Sequence, residues 1–107
     1  MANCNITGSI YAGSQQQWFA RNSHLGWWKG GVWNMVFVGC DGDVYQSGCD
    51  PVWTPGPKPG AVTNVAKTPV VAEKPFIIVD AAGKFSLAIP KPRYDSTGSD
   101  WVVLAWA

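Results

Sequence analysis

Glycine and proline interrupt this chain so often that hardly any stretch can carry a helix. Twelve glycines and eight prolines lie among 107 residues, and few windows between them keep the 3.6-residue apolar period of an amphipathic helix. Short runs of β-branched and aromatic residues lie between these interruptions. The sequence therefore predicts an all-β fold in a single domain spanning 1–107, with five to seven strands, long loops and no internal repeat at a fixed period.

The most strongly β-prone run is "GVWNMVFVGC", residues 31–40. Trp33, Met35 and Phe37 fall on one side of such a strand, and valines accompany Asn34 on the other. Apolar residues on both faces predict a strand buried on both sides. Asn34 would then be a buried amide that needs hydrogen-bond partners.

A β-hairpin is predicted near the C-terminus, with strands over 76–79 and 84–89. The "DAAG" turn between them ends in a glycine that can adopt a positive φ. Phe85, Leu87 and Ile89 alternate with smaller or charged residues, so their face of the hairpin is expected to be buried. The final "DWVVLAWA" is a further strand, which completes a sheet or pairs with another subunit.

The segment from Asp41 to Lys67 is predicted to be an irregular loop, because it is rich in proline and glycine. Cys40 and Cys49 bracket its first part, "CDGDVYQSGC", and a disulfide there is one candidate. The alternative is that the thiols are free in a reducing compartment, since three cysteines cannot all pair within the chain. No spacing of cysteine and histidine indicates a metal site.

Charge excludes one class of partner. The formal net charge is +1 and only 14% of residues are charged, so no basic face for nucleic acid is predicted. No apolar stretch reaches the roughly 20 residues that span a bilayer, and no signal peptide is visible. The chain is therefore expected to bind neither nucleic acid nor membrane.

Tryptophans concentrated beside side-chain amides are the main candidate site. Indole rings stack on the apolar faces of sugars, while amides and guanidinium groups bond sugar hydroxyls. The alternative is that these rings form the core or an oligomer interface. Trp27 and Trp28 are adjacent, so in an extended segment one can be buried and the other presented. The predicted carbohydrate ligands are Gln17, Trp18, Arg21, Asn22, Trp27 and Trp28.

Carboxylates offer two weaker candidates. Asp41, Asp43 and Asp50 are clustered in sequence as calcium ligands would be, but they lack the EF-hand pattern, and a polar turn explains them equally. A glycoside-acting enzyme would use a pair of carboxylates among Asp41, Asp43, Asp50 and Glu73. The sequence has a single histidine, His24, and no nucleophile-elbow motif. No catalytic residue, metal or cofactor is therefore predicted.

Two phrases of the sequence resemble a known family. "NITGSIYAGSQQQWFARNSHLGWWKGGVWNMVFVGC" and "TPVVAEKPFIIVDAAGKFSLAIP" resemble a segment of large secreted bacterial and fungal proteins with right-handed parallel β-helix folds. These pectate-lyase-like proteins include relatives of the glycoside hydrolase family 55 glucanases. The likeness covers about Asn5 to Pro90. It implies a β-helix-like fold, where composition alone also allowed a sandwich, and an extracellular location.

The resemblance also implies a function. An isolated piece of a β-helix exposes strand edges, which copies of the same chain can cover, so a homo-oligomer is expected. No catalytic carboxylate of the family is matched. The leading hypothesis is a non-catalytic, self-associating β-domain that contacts carbohydrate. The alternatives are a purely structural assembly module and a fragment of a glycoside-acting β-helix enzyme.

Overall fold

The computed structural model describes residues 1–11, 17–29, 34–44, 62–99 and 103–106. Within these ranges the chain forms strands and no helix, which confirms the all-β prediction. The strands exceed the predicted number. They are β1 (Asn5–Tyr11), β2 (Gln17–Arg21), β3 (His24–Lys29), β4 (Asn34–Val38), β5 (Asp41–Gly42), β6 (Val62–Val65), β7 (Thr68–Val71), β8 (Phe76–Val79), β9 (Phe85–Pro90), β10 (Arg93–Ser96) and β11 (Val103–Trp106).

The first six strands form two parallel sheets that the chain visits in turn. Sheet I has the order β1-β3-β5 and sheet II the order β2-β4-β6. Each passage from sheet I to sheet II adds one coil on top of the last, which is the arrangement of a parallel β-helix. The later strands pair antiparallel, β7 with β10 and β9 with both β8 and β11.

A corner in the left-handed conformation recurs once per coil. Asn3, Asn22 and Gly39 have φ values of 54°, 46° and 60°. Asparagine and glycine are the residues that adopt this conformation most readily. Each donates its backbone N–H to the neighbouring strand: Asn3 to Arg21, Asn22 to Val38 and Gly39 to Val65. These corners lie 19 and then 17 residues apart, so the structural repeat of the coils has no fixed period in the sequence.

The core lies between sheets I and II, and aromatic rings pack against each other within it. The ring of Trp28 meets Phe37 edge-on, with centroids 5.7 Å apart, and Trp18 at 5.9 Å. Met35 and Phe37 are fully buried, as their shared side of β4 predicts. The residues of the core are Ala20, Leu25, Trp28, Met35, Phe37, Cys40 and Val62.

Strand β4 is not buried on both faces, which corrects the prediction made from its apolar run. Asn34 is exposed, and Val36 and Val38 are half-buried. The outer side of a β-helix coil faces solvent, so a valine there needs no packed partner and Asn34 needs no internal one. The first residues of the predicted strand, 31–33, lie outside the described residues.

The hairpin of β8 and β9 is confirmed, but it buries the opposite face from the one predicted. Ala88 is fully buried, while Phe85 is 71% exposed and Leu87 37%. β9 is also the central strand of its sheet, with β8 on one side and β11 on the other. On β9 the small Ala88 therefore faces the body of the protein, while Phe85 and Leu87 point outward.

Part of the predicted loop from Asp41 to Lys67 is regular, because β5 and β6 lie inside it and continue sheets I and II. Residues 45–61 of that loop fall outside the described residues. Cys49 is among them, so its pairing with Cys40 stays a prediction. Cys40 itself is buried, neither it nor Cys4 is in a disulfide among the described cysteines, and burial raises the pKa of the Cys40 thiol.

Candidate functional site

Polar side chains line up across the outer face of sheet I at the start of its strands. Asn5 on β1 pairs with His24 on β3, and His24 pairs with Asp41 on β5. His24 Nδ1 lies 2.7 Å from Asp41 Oδ1, with 42% and 49% of the two side chains exposed. Three residues distant in sequence thus form one polar row, because parallel strands in register place equivalent side chains side by side.

An open pocket of about 500 Å³ lies on this row. Sheet I forms its floor, and the segment after β10 forms its wall. Thr97 Oγ1 donates to the Ala66 carbonyl at 3.0 Å, and Gly98 N donates to the Gly39 carbonyl at 2.8 Å, so the wall is fixed to the coil corners. The lining residues are Asn5, Thr7, His24, Asp41, Thr97, Gly98 and Ser99.

An aromatic pair occupies the other end of the same face. The rings of Tyr11 and Trp27 meet edge-on with centroids 6.0 Å apart. Tyr11 is 62% exposed and Trp27 45%. Trp27 follows His24 by three residues on β3, which places the aromatic pair about 10 Å from the polar pocket at 3.3 Å per residue. Sheet I therefore presents polar and aromatic groups on one continuous surface.

Gly26 interrupts the regular alternation of β3, so that Leu25 and Trp28, three residues apart, lie on the same side. The register between β1 and β3 shifts by one residue here, so that Thr7 and Gly8 together oppose Gly26. This bulge lets Leu25 and Trp28 both face the core while Trp27 faces outward. A Cβ on Gly26 would lie 2.4 Å from the Thr7 carbonyl oxygen, so only glycine fits.

The predicted carbohydrate ligands are divided among three places. Trp27 is on the outer face of sheet I, as one of the two alternating indoles should be. Trp28 is 2% exposed and Asn22 0%, so both belong to the interior. Trp18 is half-buried against the core. Gln17 is exposed on β2.

Arg21, the remaining predicted ligand, is occupied by an ion pair. Its guanidinium bonds both carboxylate oxygens of Glu73, Nη2 to Oε2 at 3.0 Å. Asn3 Nδ2 donates to Glu73 Oε1 at 2.9 Å, and Arg93 Nη2 donates to Asn3 Oδ1 at 2.9 Å. The hydrogen bonds from Arg21 and Asn3 lower the pKa of Glu73 to about 2. Glu73 joins β2 to the segment after β7 and stays ionised at neutral pH.

A second groove, of about 540 Å³, lies on the outer face of sheet II. The side chains of Gln17 and Asn34 pair across β2 and β4, as do those of Phe19 and Val36. Phe19 is 52% exposed. This groove combines amides with an aromatic ring, but it has no ionisable group and its tryptophan is half-buried.

The carboxylates proposed as calcium or catalytic groups do not converge in the described structure. Asp41 bonds His24, Asp43 Oδ2 accepts from the backbone of Trp28 at 3.3 Å, and Glu73 bonds Arg21. Asp50 lies outside the described residues. Among the described residues there is no group of three or more His, Cys, Asp or Glu placed to hold a metal ion. A Glu73 carboxyl with a pKa near 2 is also a poor general acid.

The described part of the chain holds no helix that could cross a lipid bilayer.

One known protein is similar in sequence to most of this chain. No family model matches the sequence. An exo-β-1,3-glucanase of Streptomyces sp. SirexAA-E is 36% identical over 101 residues, which is 94% of this chain and 15% of the glucanase. The chain is homologous to one segment of this glucanase. The resemblance to β-helix proteins related to glycoside hydrolase family 55 is thereby confirmed.

Two solved structures match this chain in fold. The structure of sacteLam55A from Streptomyces sp. SirexAA-E matches with a TM-score of 0.72 and 33% identity, over 96% of this chain and 19% of that one. A variant of sacteLam55A in complex with glucose matches with a TM-score of 0.73 and 37% identity, over 94% of this chain and 16% of that one. The chain therefore spans less than a fifth of the length of these relatives.

Sequence reasoning missed the polar row and Tyr11. Their only signal was the alternation of polar and apolar residues in the "NITGSIY" strand. That alternation marks a face exposed to solvent, but it does not show which residues of other coils lie beside it.

Proposed function

We propose that this chain is a non-catalytic segment of a glucanase-type β-helix that contacts carbohydrate through the outer face of sheet I. The exposed pair of Tyr11 and Trp27 supports this proposal, because partly exposed aromatic rings beside polar groups are the usual composition of a small-ligand site. The homologous protein is an exo-β-1,3-glucanase, so β-1,3-linked glucan is the first ligand to test. An extracellular location fits this ligand and is part of the proposal.

Replacing Trp27 with alanine is expected to weaken glucan binding about tenfold or more, which is the effect of losing about 1.4 kcal/mol of stacking. The measurement is calorimetric titration with β-1,3-linked oligosaccharides, with indole fluorescence as a second signal. Tyr94→Ala is the matched control, because Tyr94 is 70% exposed on β10, in a different sheet. The absence of saturable binding by the wild-type chain to any oligosaccharide would refute the proposal.

The alternative of an enzyme fragment is favoured by the activity of the homologous glucanase. It requires that the chain release reducing ends from β-1,3-glucan and lose this activity in Asp41→Asn or Asp43→Asn. Binding without any release supports the non-catalytic role.

Self-association is the second part of the proposal. On the hairpin, Ile77 lies opposite Leu87 and Val79 opposite Phe85. All four side chains are exposed, Ile77 and Phe85 at 71%. Adjoining apolar side chains on one face of a sheet favour association when they are not covered.

The self-association proposal predicts a solution mass well above 11.5 kDa at micromolar concentration, measured by light scattering or sedimentation. Phe85→Asp is expected to shift the protein to monomer, because a charge cannot be buried in an apolar contact. Tyr94→Asp places the same charge at an exposed aromatic position elsewhere and should leave the mass unchanged. A monomeric wild-type chain would contradict this part of the proposal.

A further inference from the structure

We infer that the pocket beside Asp41 is a saccharide subsite that bonds the hydroxyl groups of one sugar ring, while Tyr11 and Trp27 contact the adjoining part of the same ligand. This inference rests on the proposed function and identifies the polar part of the proposed binding surface. It makes the ligand run along β3, from the polar row toward the aromatic pair.

The chemistry of the pocket selects a neutral, hydroxyl-rich ligand. The Asp41 carboxylate accepts hydrogen bonds, the Asn5 amide both donates and accepts, and Thr7 and Ser99 add hydroxyl groups. An isolated carboxylate would favour a cation, but the His24 ring beside Asp41 occupies Oδ1 and opposes that preference. The mixture of donors and acceptors matches neighbouring hydroxyls on a sugar.

The Asp41 side chain is oriented by a hydrogen bond on one side and lies close to the backbone on the other. His24 bonds Oδ1, and Oδ2 lies against the backbone at Gly98, where an added Cβ would be only 2.7 Å away. Gly98 also has φ of 76°, which favours glycine. A carboxylate that is already oriented loses little conformational freedom when a ligand binds, so the pocket is preorganised.

The spacing on sheet I sets the minimum size of the ligand. His24 and Trp27 are three residues apart on β3, about 10 Å at 3.3 Å per residue, so a single sugar ring cannot contact both the pocket and the aromatic pair. Affinity is therefore expected to rise from glucose to β-1,3-linked di- and trisaccharides and to level off with longer chains.

The test uses two pocket variants and one matched control. Asn5→Ala and Thr7→Ala each remove a pocket group from an exposed position of β1. Thr63→Ala removes the same hydroxyl from an exposed position of β6, on sheet II and outside the pocket. Calorimetric titration with the β-1,3-linked trisaccharide is expected to show about fivefold to tenfold weaker binding for the pocket variants and unchanged binding for Thr63→Ala.

The outcomes separate the pocket from the proposed function. If Asn5→Ala and Thr7→Ala bind the trisaccharide as the wild type does while Trp27→Ala does not, the pocket assignment is overturned and the aromatic contact stands. If affinity is equal for glucose and the trisaccharide, the two-point arrangement is overturned. If the wild-type chain binds no saccharide, the proposed function itself fails, and the pocket assignment fails with it.

Discussion

Replacing Asn22 with alanine is expected to lower the free energy of unfolding by about 3 kcal/mol. Asn22 is fully buried and has φ of 46°. Its amide donates to Ser96 Oγ and its carbonyl oxygen accepts from Thr68 Oγ1, both at 3.1 Å. Alanine would leave two buried hydroxyls without these partners, which costs about 1–3 kcal/mol. It would also take a left-handed conformation that costs an L-residue about 1–2 kcal/mol.

Asn22→Gly separates these two costs. Glycine adopts the left-handed conformation easily and already occupies the equivalent corner of the next coil, at Gly39. This variant is therefore expected to lose only the hydrogen bonds and to be about 1 kcal/mol more stable than Asn22→Ala. Urea unfolding followed by circular dichroism measures both. Equal stability of the two variants would show that the corner conformation contributes nothing.

Glu73 is expected to make the fold sensitive to acid between about pH 4.5 and pH 2. The Arg21 pair lowers the pKa of Glu73 from 4.5 to about 2 in the folded chain. A carboxyl with a lower pKa in the folded state stabilises the fold above its unfolded pKa, and this stabilisation is lost as pH falls through the folded pKa. With partial exposure of the pair taken into account, the contribution at neutral pH is about 2 kcal/mol.

The test compares the wild type with Glu73→Gln by urea unfolding at several pH values. The wild type is expected to be about 2 kcal/mol more stable at pH 7, and the difference should shrink toward zero near pH 2. Arg21→Lys serves as the control, because it keeps the charge and loses the two parallel hydrogen bonds, so an intermediate stability is expected. A stability difference that is independent of pH would rule out the ion pair as its source.

Asn22 and Arg21 also show why the sequence could not place the predicted ligand residues in the fold. Asn22 and Arg21 stand beside tryptophans in the chain, and this proximity made them candidate ligands. In the fold, Asn22 bonds residues 46 and 74 positions away, and Arg21 bonds one 52 positions away. Residue type and sequence neighbours indicate which bonds a side chain can make, but partners this distant in sequence decide whether it faces a ligand or another strand.

The hairpin shows the same division within a single element. The strands and turn of β8 and β9 follow from β-prone runs on either side of "DAAG", and they were predicted correctly. The face that is buried was not, because alternation gives two faces and does not say which one meets the rest of the protein. Position in the sheet decides this, and it places Ala88 inside and Phe85 outside.

The sequence by itself determined the all-β class, the hairpin, the opposite directions of Trp27 and Trp28, and the relation to β-helix glucanases. These features depend on local composition, on the two-residue period of a strand and on long stretches of similar sequence. Only the tertiary structure decided that Asn5, His24 and Asp41 stand side by side and that Trp28 lies in the core. The physical reason is that coils of unequal length stack in register through backbone hydrogen bonds, which carry no signature in the side chains they bring together.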